Sequence, residues 1–361
     1  MTAAPTRDDL SIRTHVQAAV AATTPRYAVD RADLGDPRLA GEDGAGEAGV
    51  EGGAAAWRTA LRTRLHELLN DAAMRVDPAP EVVESVDDDG YTRSLLRFQT
   101  EPGVTSAAWL LVPPGARERP APGVLALHGH GRGKDDVVGI WPEGDRDAEE
   151  GVRGHHYDFA RQLARRGYVV LAPDARGFGE RAADGCHVGG LVSLYLGRPV
   201  AGQRLWDDQR ALDLLAGLPE VDAARLGCVG LSEGGKRTLF LSALDERIAC
   251  AVVSGYFTTL RQEVQTWDRL QGWDICNPVP GLLAVADLPD VAALVAPRPL
   301  LIQHGRDDGL YSLAHVESGF ATAAKMWARC GRSDAVKLDV FDGGHRWNGD
   351  PAYAWIDSHL A

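Results

Sequence analysis

The sequence predicts an α/β protein built on a mostly parallel twisted sheet, with antiparallel opening strands and helices on both faces. Short continuous apolar runs alternate with helical stretches from about residue 121 to the end, which is the pattern of strands buried on both faces. Strand-like segments closed by tight turns precede them. The chain has 361 residues, 45% hydrophobic and 25% charged, enough apolar surface to cover one large sheet and unlike disordered or fibrous compositions.

In chain order, residues 1–56 read as a flexible or accessory N-terminal segment. Its stretch GEDGAGEAGVEGG at 41–53 buries too little apolar surface to offset chain entropy. Residues 57–80 read as a helical segment packed on the core, because Trp57, Leu61, Leu65 and Leu68 recur at helical spacing. Residues 81–361 form the main domain. It opens with EVVESV, YTRSLLRFQT and SAAWLLVPP. The strands GVLALHGH, YVVLAPD, RLGCVGLS, IACAVVSGY, PLLIQHG and AVKLDVFDGG then follow. Helices are expected near 157–166, 205–215, from 235, at 313–328 and at the end. Two connections, 132–155 and 257–297, are longer than linking requires. They are expected to wall a pocket over the carboxyl ends of the strands, where such sheets carry their chemistry.

Charge and cysteine usage exclude several classes. Lys and Arg number 38 against 51 Asp and Glu, a net charge of −13, so a phosphate-tracking surface and a nucleic-acid partner are not expected. No uncharged apolar run reaches about 18 residues, and the opening MTAAPTRDDLSIRTH has no signal-like core. A soluble cytoplasmic protein without a membrane partner is therefore expected. Cys186, Cys228, Cys250, Cys276 and Cys330 are odd in number and lack C-x-x-C or zinc-ligand spacing, so reduced thiols and no metal are expected.

The chemistry concentrates in Gly230-Leu231-Ser232-Glu233-Gly234, between a strand and a helix. This is the context a nucleophilic serine on a sharp turn requires, with small flanking residues and a helix N-terminus beneath it. A serine hydroxyl needs a base, and the base an orienting acid. Asp308 and His345 each follow a strand, in the order Ser, acid, His; Asp307 and Asp274 are the competing candidates for the acid. The backbone N–H groups of Glu233 and of His130, in Leu127-His128-Gly129-His130-Gly131, are the candidate oxyanion donors. His128 reads as a buried brace for that loop. Trp267, Trp273 and Trp347 are candidates for an apolar substrate-binding wall, with core packing as the competing reading. DARGFG at 174–179 lacks the third glycine of a dinucleotide site and reads as a structured turn. His155-His156 read as solvated or capping residues.

With these residues placed, the chain resembles the α/β-hydrolase superfamily from about residue 81 to the end. PDARGFGER, GLSEGGKRTLFLSALDERI, CNPVPGLLAVADLPDVAALVAPRPLLIQHGRDD and FDGGHRW are similar to the dienelactone hydrolase-like and acetyl xylan esterase-like group. The resemblance implies a serine esterase for small-molecule esters, working through an acyl-enzyme with Ser232, His345 and Asp308 and needing no cofactor. Ser232 stands where dienelactone hydrolases carry cysteine, and Glu233 where acetyl xylan esterases of this type carry glutamine. A peptidase or amidase of the prolyl oligopeptidase type shares the triad order, but 80 residues cannot build a propeller. Acyl transfer to a bound alcohol and a non-catalytic role on the same fold compete with the esterase reading.

Overall fold

The computed structural model describes residues 11–30, 50–88, 90–183 and 185–361. Nine strands form one sheet: β1 (Glu81–Asp88), β2 (Tyr91–Glu101), β3 (Val104–Val112), β4 (Ala121–Leu127), β5 (Val169–Pro173), β6 (Val221–Leu231), β7 (Ile248–Ser254), β8 (Leu300–Gly305) and β9 (Val336–Phe341). Their spatial order is β1-β2-β3-β5-β4-β6-β7-β8-β9. The first three strands and the β3–β5 pair run antiparallel, and β5 to β9 pair in parallel.

The inner parallel strands are buried on both faces, and alternate residues feed two separate cores, while the edge strand β9 carries Lys337 and Asp339 on one face. Leu125, Leu127, Cys228, Val253 and Ile302 pack with helices Val50–Leu69, Val200–Ala216, Glu233–Leu244 and Leu313–Arg329. Val124, Ala126, Val229, Val252 and Leu301 pack with helices Phe159–Arg165 and Gly349–Leu360. The register aligns Leu127 with Gly230, Leu231 with Ser254, and Gly305 with Phe341. The carboxyl ends of β4, β6, β7, β8 and β9 therefore share one edge.

The N-terminal region departs from the sequence expectation in two ways. The helix expected from residue 57 begins at Val50, inside the glycine-rich stretch. Trp57, Leu61, Leu65 and Leu69 are fully buried. Once that face is anchored, extending a helix backward through Ala54, Ala55 and Ala56 costs little. Residues 31–49, which hold the rest of the glycine-rich stretch, lie outside the described residues, as do residues 1–10. Residues 11–30 are built into the domain rather than appended to it. Helix Ile12–Ala22 is followed by Tyr27, whose N–H donates to the Val285 carbonyl at 2.9 Å, and by Val29, whose N–H donates to Asp290 Oδ1 at 2.6 Å.

The structure also adds helix Gly185–Tyr195, for which the sequence gives no amphipathic signal. Val188, Leu191 and Val192 on it are exposed, so its apolar residues mark no buried stripe. Among the described residues no helix is long and apolar enough to cross a membrane.

Candidate active site

β6 ends at Leu231, and the chain reverses at once into helix Glu233–Leu244, with Ser232 as its N-cap at φ 61, ψ −121. A serine at positive φ is strained, and the surroundings must hold it. Its N–H donates to the Ser254 carbonyl at 2.9 Å, and its carbonyl accepts from the Lys236 N–H at 3.0 Å. A side chain at Gly230 would overlap the Gly234 carbonyl, and one at Gly234 the Leu127 carbonyl. The two glycines of the motif thus let the turn wedge between the ends of β4 and β7.

The helix behind Ser232 is clamped by buried charges. Glu233 Oε1 accepts from Arg204 at 2.7 Å and lies 2.8 Å from Lys236 Nζ, all three side chains being at most 2% exposed. Arg237 grips Asp208 with two nitrogens. Burial pushes the Glu233 carboxyl up, but Lys236 and Arg204 more than reverse this and hold it at about 2.

Asp308 follows β8, and His345 follows β9. Asp308 Oδ2 lies 2.7 Å from His345 Nδ1, while Oδ1 accepts from the Leu310 N–H at 2.9 Å. Asp308 is buried. Burial raises its carboxyl, the His345 hydrogen bond outweighs it, and the net shift is downward. With Nδ1–H committed to a carboxylate, the imidazole lone pair sits on Nε2. That nitrogen is buried and has no hydrogen-bond partner among the described residues. Asp307 is exposed. Asp274 pairs instead with His130, Oδ2 to Nε2 at 3.0 Å.

The loop after β4 approaches Ser232 closely. A side chain at Gly129 would place its Cβ 2.9 Å from Ser232 Cβ and 2.6 Å from the Leu231 carbonyl oxygen. The Gly129 N–H donates to the Tyr157 hydroxyl at 2.7 Å. His128 is fully buried. Its Nε2 accepts from the Ala175 N–H at 3.0 Å, so Nδ1 carries the proton and donates to the Gly129 carbonyl at 2.7 Å. Burial holds its pKa well below the ordinary histidine value. His128 therefore stays neutral and fixes the loop.

Ser232, His345 and His130 border one cavity of about 450 Å³. Arg132, Asp136, Asp147 and His155 of the 132–155 connection line one side, and Trp273, Asp274 and Asn277 of the 257–297 connection line another. A second, more apolar cavity of about 340 Å³ adjoins it, walled by Leu260, Val264, Val279 and Leu282. Trp273, Tyr256 and Tyr311 border both.

The Abhydrolase family model matches residues 50–325, from the N-terminal helix through Ser232 and Asp308. The chain belongs to the Abhydrolase family. A hydrolase-named protein of Bacillus subtilis (strain 168), YtaP, is 28% identical over 299 residues, covering 80% of this chain and 94% of its own. A solved structure from Bacteroides fragilis NCTC 9343, provisionally named an acetyl xylan esterase, superposes with TM-score 0.74 at 21% identity over 97% of this chain and 86% of that one. A glucuronoyl esterase from Solibacter usitatus superposes with TM-score 0.64 at 18% identity over 84% of this chain and 92% of that one. At these identities the likeness establishes the fold.

In this Abhydrolase, only one of the three tryptophans expected on a substrate wall reaches the cavity among the described residues. Trp273 does, in T-shaped contact with Tyr311 at 5.7 Å. Trp347 is fully buried and stacks on Phe159 at 4.6 Å. It lies two residues beyond His345, and the chain there turns back under helix Gly349–Leu360 into the core. Trp267 ends helix Leu260–Thr266 in the left-handed conformation, donating its N–H to the Glu263 carbonyl at 2.8 Å; it lines neither cavity. The sequence reading missed Tyr157, Tyr256 and Tyr311. For Tyr256 a signal existed: it lies two residues past the end of β7, where side chains enter the cavity.

Proposed function

We propose that this Abhydrolase is a serine carboxylic ester hydrolase acting on small-molecule esters. The observation that carries the reading is His345, whose Nδ1 is bound to buried Asp308 and whose Nε2, unpartnered among the described residues, lies on the cavity that holds strained Ser232. In this reading the Ser232 hydroxyl attacks the ester carbonyl while His345 Nε2 takes its proton. The backbone N–H groups of Glu233 and His130 hold the oxyanion, and the alcohol leaves with the proton from His345. Water then attacks the acyl-enzyme with His345 as base. Asp308 keeps the imidazole in the required tautomer.

The two adjoining cavities support an ester with one polar and one apolar part. The reacting carbonyl lies at Ser232, and the apolar group passes Trp273 toward Leu260 and Leu282. The names acetyl xylan esterase and glucuronoyl esterase, borne by proteins of the same fold, support ester chemistry over amide cleavage. Five free thiols fit a reducing, cytoplasmic setting.

The test uses p-nitrophenyl esters from acetyl to octanoyl beside amide and lactone substrates. Ser232→Ala should lower kcat for the preferred ester by about 10⁴- to 10⁶-fold. A serine-directed fluorophosphonate should label the wild type once and the variant not at all. A variant retaining more than about a tenth of the wild-type rate refutes the mechanism, because no other group in the proposal forms the acyl-enzyme.

A further inference from the structure

Beside the cavity, three side chains that the proposed reaction does not use converge from distant parts of the chain. His130 Nε2, Cys186 Sγ and Cys276 Sγ all lie within 4.8 Å of one another. Cys276 Sγ is 3.4 Å from His130 Nε2, and Asp274 Oδ2 is 3.0 Å from the same nitrogen. Tetrahedral zinc, with bonds of about 2.3 Å to sulfur and about 2.0–2.1 Å to nitrogen or oxygen, sets its donors roughly 3.3–3.8 Å apart. The Cys276–His130 spacing falls in that range, and the Cys186 sulfur lies close enough to both to reach it with a small shift.

Backbone packing brings the segments together independently of these side chains. A Cβ at Gly190 would lie 3.2 Å from the Cys276 Cα, so helix Gly185–Tyr195, which carries Cys186, rests directly on the 274–277 turn. The charge balance also suits a bound cation. Beneath Cys276, one buried acid, Glu233, faces two buried bases, Arg204 and Lys236, and Lys236 Nζ donates to the Cys276 carbonyl at 3.1 Å. A zinc ion with two thiolates and one carboxylate carries one net negative charge, which offsets that surplus.

We propose that His130 Nε2, Cys186 Sγ and Cys276 Sγ form a zinc-binding site that ties helix Gly185–Tyr195 to two segments bordering the cavity, with Asp274, paired to the same His130 nitrogen, closing in as the fourth ligand. Binding releases the two thiol protons to solvent. Partly exposed His130 and Asp274 give the ion its entry from the cavity. The His130 ring acts here, whereas the ester-hydrolase proposal uses only its backbone N–H. Metal uptake therefore tests this site separately from that reaction.

The experiment titrates the full-length, reduced, chelator-stripped chain with Co²⁺ as a spectroscopic probe, then displaces it with Zn²⁺. One equivalent should bind, with thiolate-to-cobalt charge transfer in the near ultraviolet and the intense visible bands of a tetrahedral site. Cys186→Ser and Cys276→Ser should each weaken zinc by more than the roughly 10- to 100-fold that loss of an outer-shell partner costs. Asp274→Asn, on a partly exposed side chain, should weaken it while keeping the charge transfer. Added zinc should raise the Tm of the wild type but not of Cys186→Ser. No charge-transfer band in the wild type overturns the proposal, as does a band that survives in the Cys186→Ser/Cys276→Ser double variant. A Cys186–Cys276 disulfide in a chain that takes up no cobalt also overturns it.

Discussion

Replacing Glu233 by Gln removes one negative charge from a site where Arg204 and Lys236 both remain, 2.7 and 2.8 Å from its Oε1 and almost wholly buried. Breaking a buried pair by deleting one partner costs about 3–5 kcal/mol, because the remaining charge has lost its compensation. At about 2.1 cal/mol/K of unfolding entropy per residue, a chain of 361 residues loses roughly 1.3 °C of Tm per kcal/mol. Glu233→Gln should therefore lower the Tm by about 4–7 °C at pH 7. The sign with pH follows from the carboxyl held at about 2, below the unfolded value of about 4.3. Its stabilisation is complete above about pH 5 and is lost as pH falls toward 2, so the gap between wild type and variant should close over that interval. On the alkaline side, burial already holds Lys236 below its ordinary value. The variant can therefore shed that proton, and the gap at pH 9 should be smaller than at pH 7. The assay is scanning calorimetry of wild type, Glu233→Gln, Lys236→Met and the double variant across this range. A Tm change below about 1 °C at pH 7, or a gap that does not respond to pH, refutes the account of Glu233 as the counter-ion of both bases. If the account holds, adding Lys236→Met to Glu233→Gln should recover part of the loss, since one uncompensated charge then remains instead of two.

The acid is tested by comparing Asp308→Asn with Asp307→Asn. Of the two, Asp308 is the one bonded to His345, so its variant should lose on the order of 10⁴ in kcat while Asp307→Asn stays within about threefold; the reverse ranking refutes the assignment. Trp273→Ala removes the wall between the two cavities. It should shift the hexanoyl-to-acetyl kcat/KM ratio by about 1–3 kcal/mol in favour of the longer chain. An unchanged ratio with a large fall in Tm would show that Trp273 only fills space.

The sheet is legible in the sequence because its information is local. The inner parallel strands are apolar runs bounded by turn residues, the antiparallel opening strands are marked by their turns, and GLSEG carries its own steric reason: Gly230 and Gly234 are where other backbone approaches too closely for a side chain. Asp308 and His345 are legible as neighbours because each follows a strand, and a parallel sheet brings its carboxyl ends to one edge. Composition fails at residues 50–53, where a packed face downstream overrides glycine. Periodicity fails at helix Gly185–Tyr195, whose apolar residues are exposed and so form no stripe.

The tryptophans and the cysteines mark a different boundary. Trp273 and Trp347 flank the candidate site in sequence, yet one borders the cavity and the other lies in the core. Which way an aromatic side chain faces is set by the path of the backbone after a strand, and spacing does not encode that path. Cys186, Cys276 and His130 are harder still, since metal-ligand spacing in sequence presupposes donors on one or two adjacent turns. Here the donors come from a helix after β5, a loop after β7 and the turn after β4, and they converge only because the sheet order places β4 between β5 and β6, with β7 next. The same strand-end edge that makes Ser232, Asp308 and His345 predictable therefore also assembles a cluster that no motif announces. In an α/β sheet, sequence-distant residues that follow strand ends are the ones to test for contact first.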